Sequence, residues 1–215
     1  MFFEKRTENI VINGSAFMGC TELTEIVIPD MAVYNEGGSG NIFKGCISLK
    51  SVHLPESPAV NVIGSGIFQG CISLTDFNIG PYITIIKSRA FNNCPLLESI
   101  DMSETNVVEL GDNAFDTTGL SEIIFNDKIN SIGMNCFANC RFKTFQFPDT
   151  ITVISRSVLQ TNKELQHLIL PAGVTEISYN AFAGCSALID IVSNSLVPPV
   201  LDASAFNYGN STFKI

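Results

Sequence analysis

Charge is scarce in this sequence. Charged side chains make up 15% of its 215 residues, against roughly 25% in an ordinary globular domain. Long apolar runs are missing too. None approaches the ~18 residues that a membrane-spanning helix needs, so no membrane insertion is expected. The 12 Lys and Arg are outnumbered by 21 Asp and Glu, the net charge is −9, and the cations form no cluster. Nucleic-acid binding needs a basic stripe to neutralise phosphates, so nucleic acid is not expected as a partner. There is no Cys-x-x-Cys pair, no nucleophile elbow and no local Ser-His-Asp signature. The Gly-rich stretch from Asn35 to Asn41 lacks the Lys-Ser/Thr of a phosphate loop. These absences point away from an enzyme, and no catalytic residue, metal or cofactor is assigned.

Apolar residues are nevertheless plentiful, at 46% with a mean hydropathy of +0.28. Dispersed at short intervals, they give the composition of many short buried strands. Their spacing is periodic. Phe17, Phe43, Phe68, Phe91, Phe115, Phe137, Phe182 and Phe206 recur, with Leu159 standing in for one, at intervals of 26, 25, 23, 24, 22, 22, 23 and 24 residues. Ala precedes the anchor at Ala16, Ala90, Ala114, Ala181 and Ala205. Cys follows it by three at Cys20, Cys46, Cys71, Cys94, Cys140 and Cys185. Leu comes three later, and then an apolar-x-apolar pair such as Ile26/Ile28, Val52/Leu54 or Leu168/Leu170. A second apolar pair, such as Ile83/Ile86 or Val174/Ile177, precedes the next anchor.

A coil of about 23 residues cannot bury its apolar stripe alone, but stacked coils can, with like residues spaced by ~4.8 Å. The expected fold is an α/β repeat solenoid, a right-handed leucine-rich-repeat superhelix of about nine coils and roughly 40 Å in length. The Leu-x-x-Ile-x-Ile segment reads as a short parallel strand and the second pair as another. Ala-Phe-x-x-Cys reads as a helical or 3-10 turn, because residues three apart share a helix face.

Units such as Val174 to Leu188, VTEISYNAFAGCSAL, resemble BspA-type leucine-rich repeats. The Cys falls three residues before the first Leu of the strand, where the generic leucine-rich pattern puts its Asn or Cys after the core. The resemblance covers nearly the whole chain as one domain, 1–215. It implies a bacterial protein, surface-exposed or secreted, that adheres to host proteins or other cells. Asn194 to Phe206 resembles a closing unit of such proteins from gut bacteria, usually followed by more chain, and the resemblance therefore implies a piece of a longer protein as one reading of 1–215. The charged start, Met1 to Glu8, sits where a leader has its apolar segment; either a cytoplasmic protein or a mature or excised piece is expected.

Six of the seven cysteines hold the repeat position and are expected to point inward as small hydrophobes with a weak S–H donor. Cys136 takes the Ala position. The two histidines lie about five coils (~24 Å) apart on strands, too far to share a metal, and are expected to face solvent. The Gly-rich stretch is read as a flexible connection, with a ligand-contacting loop as the alternative. The coil around Leu159 lacks both Phe and Cys, so weaker stacking or a local bend is expected there.

Function is expected on the outward strand positions, a continuous sheet formed by Glu25, Val27, Ser51, His53, Asp76, Asn78, Ser99, Asp101, Glu122, Ile124, Thr144, Gln146, His167 and Ile169. Glu25, Asp76, Glu122 and Asp190 share one repeat position and are expected to form an acidic strip, either a solvated edge or a contact for a basic protein. Val27, Ile124 and Ile169 are apolar where a merely solvated face would be polar. The expected partner is a protein, of the host or a cell surface, or a glycan. A spacer within a larger surface protein and an intracellular scaffold are the alternatives.

Overall fold

A computed structural model describes residues 10–28, 32–34, 40–55, 58 and 60–207. Each coil contributes two short strands and one turn, and each of the three stacks on its counterpart in the next coil. The first file of strands comprises Glu25–Val27, Ser51–His53, Asp76–Phe77, Ser99–Asp101, Glu122–Ile124, Thr144–Gln146, His167–Leu170 and Asp190–Ser193. The second file includes Val62–Ile63, Ile85–Ile86, Glu109–Leu110 and Ser131–Ile132 in one sheet, and Val153–Ile154, Glu176–Ile177 and Val200–Leu201 in another. Ile10–Ile12 pairs with Ala32–Tyr34. All pairings are parallel.

The leucine-rich-repeat solenoid expected from the spacing is therefore present, with two differences. It makes about seven turns of ~23 residues, not nine. The seven run from the Phe43 coil to the Phe182 coil. The Phe206 anchor contributes only its turn to the described residues, and the Phe17 coil is interrupted by residues outside them. Second, no helix occurs among the described residues.

The missing helix has a local cause. In every coil from Phe17 to Phe182 the residues two before and two after the anchor are left-handed, with φ between 53° and 77°. A right-handed turn cannot propagate through such residues, since each costs an L-residue roughly 1–2 kcal/mol. Asn and Gly hold most of these sites, from Asn41 and Gly45 to Asn180 and Gly184, because they tolerate that region best.

The alternation turns backbone N–H groups outward along the stack. The anchor N–H of one coil donates to the next coil, as in Phe68 to the Ala90 carbonyl (2.9 Å), Phe91 to Ala114 (2.8 Å) and Phe182 to Ala205 (2.8 Å). The N–H two residues on does the same, as in Asn93 to Asp116 (2.9 Å) and Gly184 to Asn207 (2.9 Å). The turns thus form a third hydrogen-bonded file in place of a helical layer, which satisfies polar groups that burial would otherwise leave costly.

Inside the coils the anchor rings stack. Phe17, Phe43, Phe68, Phe91, Phe115 and Phe137 follow one another at centroid separations of 5.2–5.6 Å. Phe182 and Phe206 resume at 5.2 Å. Between these runs Leu159 interrupts the ring stack, yet it is fully buried and its N–H still reaches Ala181 at 3.0 Å. The coil expected to be weak keeps its backbone ladder, loses the aromatic contacts and has Asn162 in place of the repeat thiol.

The cysteines pack as expected from Cys46 onward. Each thiol donates to the carbonyl of the anchor one coil back: Cys46 to Phe17 (3.0 Å), Cys71 to Phe43 (3.1 Å), Cys94 to Phe68 (3.2 Å), Cys140 to Phe115 (3.4 Å) and Cys185 to Leu159 (3.2 Å). Burial pushes the thiols of Cys94, Cys140 and Cys185 up to about 12, so they stay protonated and unreactive at neutral pH. Cys20 departs from the expectation. It is exposed, and among the described residues no turn precedes its own in the turn file.

Candidate protein-binding face

The first file presents alternate side chains outward, as a period of two requires. Glu25, Val27, His53, Asp76, Asn78, Ser99, Asp101, Glu122, Ile124, Thr144 and Gln146 are exposed. Ser51, His167 and Ile169 are half-buried. Ile169 is thus less available than expected, since Gln146 and Val192 flank it in register on the two adjoining strands. Val192, at the same outward position and 49% exposed, is the apolar residue missing from the expected set.

The face is not one continuous sheet. Its strands hydrogen-bond in three groups, with gaps between Asp76–Phe77 and Ser99–Asp101 and between Glu122–Ile124 and Thr144–Gln146. Strands of two or three residues make few ladder bonds, so a small offset between coils opens them. The turn file carries the stack across both gaps through Phe68 to Ala90 (2.9 Å) and Phe115 to Cys136 (2.9 Å).

Register also corrects the acidic strip. Glu25 lies beside Ser51, and Ser51 beside Asp76. Glu122 lies beside Ser99, and Asp190 beside His167. Carboxylates therefore alternate with hydroxyl or imidazole groups, and two coils, ~9.6 Å, separate Glu25 from Asp76. Like charges on directly opposed strand positions repel, so the alternation removes a destabilising contact. Asp101, outward beside Ile124, is held below the usual carboxylate range by hydrogen bonds from the Ser103 backbone and side chain.

Both histidines face solvent, as expected, and each also meets a carboxylate. His53 Nε2 lies 3.3 Å from Glu25 Oε1, a diagonal contact, and His167 Nδ1 lies 2.9 Å from Asp190 Oδ2. In the Gly-rich stretch, residues 35–39 lie outside the described residues. Gly40 is tightly packed: a Cβ there would fall 1.6 Å from the Ser65 carbonyl oxygen. At this end of the stretch the chain is a close coil-to-coil contact.

Sequence reasoning missed one feature bordering the face. Ile47, Ile72 and Leu96 are 43%, 41% and 49% exposed on three successive coils, just before the buried Leu that leads into each strand. Their signal was an apolar residue one or two positions after the repeat Cys, easily absorbed into the core pattern.

A parallel solenoid with stacked anchor rings and a thiol-to-carbonyl ladder defines a leucine-rich-repeat protein. The profile of the BspA type leucine-rich repeat region matches residues 3–116 and 84–212 in six copies, and the chain belongs to that family. Among solved structures, a leucine-rich repeat protein from Bacteroides ovatus is 22% identical with a TM-score of 0.57, over 93% of this chain and 69% of that one. A leucine-rich cell surface protein from Faecalibacterium prausnitzii is 22% identical with a TM-score of 0.54, over 84% of this chain and 62% of that one. The leucine-rich repeat protein of T. pallidum is 18% identical with a TM-score of 0.55, over 84% and 72%. At these identities the likeness shows the fold. No curated protein matches the sequence significantly. No helix among the described residues is long and apolar enough to cross a membrane.

Proposed function

We propose that this chain is a non-catalytic binding module at the cell surface, and that the outward face of the first strand file docks a partner protein. The observation that carries this reading is the composition of that face. Val27, Ile124 and Val192, at 36%, 43% and 49% exposure, stand among carboxylates and hydroxyls on the outward positions of a strand file whose inward apolar residues are buried or half-buried. Apolar side chains held out by a rigid ladder offer contact area at little cost in ordering, and interspersed charges confer specificity more than affinity. Extended solenoid faces suit large, flat partners. The surface location draws support from the Faecalibacterium prausnitzii neighbour, described as a cell surface protein.

The test uses the whole chain as bait against extracts of host or neighbouring-cell surface proteins. A captured protein should bind the Glu25→Gln, Asp76→Asn, Glu122→Gln triple variant about tenfold more weakly, equivalent to roughly 1.4 kcal/mol. Unchanged binding removes the face from consideration.

A further inference from the structure

One repeat position departs from its own pattern. Three residues before the anchor stand Gly14, Gly40, Ser65, Ser88, Asp112 and, in the last coil, Ala203, all short. On three successive coils the same position carries Met134, Arg156 and Tyr179. Nothing in the stacking requires large residues there. Met134 and Tyr179 are 44% and 45% exposed, and Arg156 is exposed as well.

The three are held in line. Their backbones belong to the turn file, with Asn113 donating to the Met134 carbonyl (2.8 Å), Asn135 to Arg156 (3.1 Å) and Ser157 to Tyr179 (3.1 Å). The Arg156 guanidinium carbon sits 5.1 Å from the centre of the Tyr179 ring, a cation–π contact that orders both side chains. Among the described residues no carboxylate forms an ion pair with Arg156, although the chain is acidic overall. Its donors remain available for a carboxylate from elsewhere.

Gly133 and Ser155 precede the ridge residues in the chain, so Met134 and Arg156 rise beside short neighbours. An exposed row of apolar, cationic and aromatic side chains suits a protein surface better than a small ligand, which concave sites enclose. Met, Arg and Tyr are also the residue types enriched in protein interfaces. The coil spacing of ~4.8 Å lies near the ~5.4 Å rise of one helical turn, whereas same-face residues of an extended strand stand ~6.8 Å apart. The complement is a helix with apolar, acidic and apolar side chains on successive turns.

We propose that the Met134–Arg156–Tyr179 ridge is a second interaction surface, separate from the first-file face, which receives an amphipathic helix of a partner protein carrying a carboxylate between two apolar residues. The probe is an 18-residue alanine-based helical peptide with Leu, Glu and Leu at i, i+4 and i+7, with a Gln counterpart as control. Titrated into the isotope-labelled whole chain, the Glu peptide should give saturable shifts centred on the Met134 methyl and the Arg156 and Tyr179 amides. It should bind at least fivefold more tightly than the Gln peptide. Arg156→Gln and Tyr179→Ala should each weaken it at least fivefold with an unchanged circular dichroism spectrum, while Glu122→Gln should bind normally. Equal affinity of the two peptides, or no saturable shift at the ridge, overturns the proposal. So does tighter binding there of a uronic acid oligosaccharide, which would assign the ridge to glycans.

Discussion

Asn162 donates through Nδ2 to the carbonyl of Phe137 at 2.8 Å, taking the place that a cysteine thiol holds in the coils around it. The same nitrogen reaches its own anchor, Leu159, also at 2.8 Å. The substitute is imperfect, because Asn162 Oδ1 is buried without a partner. An unsatisfied buried acceptor costs about 1–3 kcal/mol. Asn162→Cys restores the repeat residue and removes that acceptor, so the urea midpoint of unfolding should rise by an amount equivalent to about 1 kcal/mol. Asn162→Ala, which strands the Phe137 carbonyl, should lower it.

The left-handed turn sites give a second expectation. Arg89 occupies one with φ 58°, where Asn serves in four other coils. Arg89→Asn should stabilise the protein by about 0.5–1 kcal/mol through relief of that backbone cost. Gly184, at φ 77° and with Thr161 3.4 Å from where its Cβ would lie, works in reverse, so Gly184→Ala should destabilise. Thermal unfolding of the two single variants checks both signs.

Close approach between coils gives a third. A Cβ on Gly111 would stand 2.5 Å from the Ser88 nitrogen and 2.8 Å from the Lys87 carbonyl carbon, both backbone atoms that cannot swing away. Gly111→Ala should cost about 1–3 kcal/mol, the usual range for overpacking, read as a lower melting temperature. An unchanged melting temperature would show that the coils slide apart freely.

The thiol ladder couples stability to pH. Desolvation raises Cys94, Cys140 and Cys185 from 9.0 to about 12 in the folded chain. The folded state therefore holds its thiol protons more tightly than the unfolded one. The stabilisation is fully present below pH 9 and is lost as pH rises from 9 towards 12. Within that window stability should fall by about 1.4 kcal/mol per pH unit for each such thiol. Urea midpoints between pH 7 and 10.5 check the slope. At pH 8 a thiol reagent should modify Cys20 rapidly and the buried cysteines only on unfolding.

The period, the core and the cysteine ladder were legible in the sequence because each repeats as a side-chain identity. The turn conformation was partly legible. Asn and Gly at Asn41, Gly45, Asn135 and Asn139 announce left-handed backbone, but Phe and Cys three apart imitate a helical face and obscured it. The gaps in the first file and the pairing of His53 with Glu25 were not legible. They depend on the lateral register of coils some 25 residues apart, which no single coil encodes. Ile124 was readable as an outward apolar residue because its strand alternates. Ile169 misled, since its exposure is set by the flanking strands rather than by its own.

The central claim, that binding resides on the outward first-file face, is tested most directly by a charge placed at Ile124, the exposed apolar residue nearest the middle of the file. The measurement is the affinity of a captured partner protein for the wild-type chain and for Ile124→Lys, a substitution at a 43% exposed site outside the core. The account predicts at least tenfold weaker binding with an unchanged melting temperature. Equal affinity for both chains would contradict it.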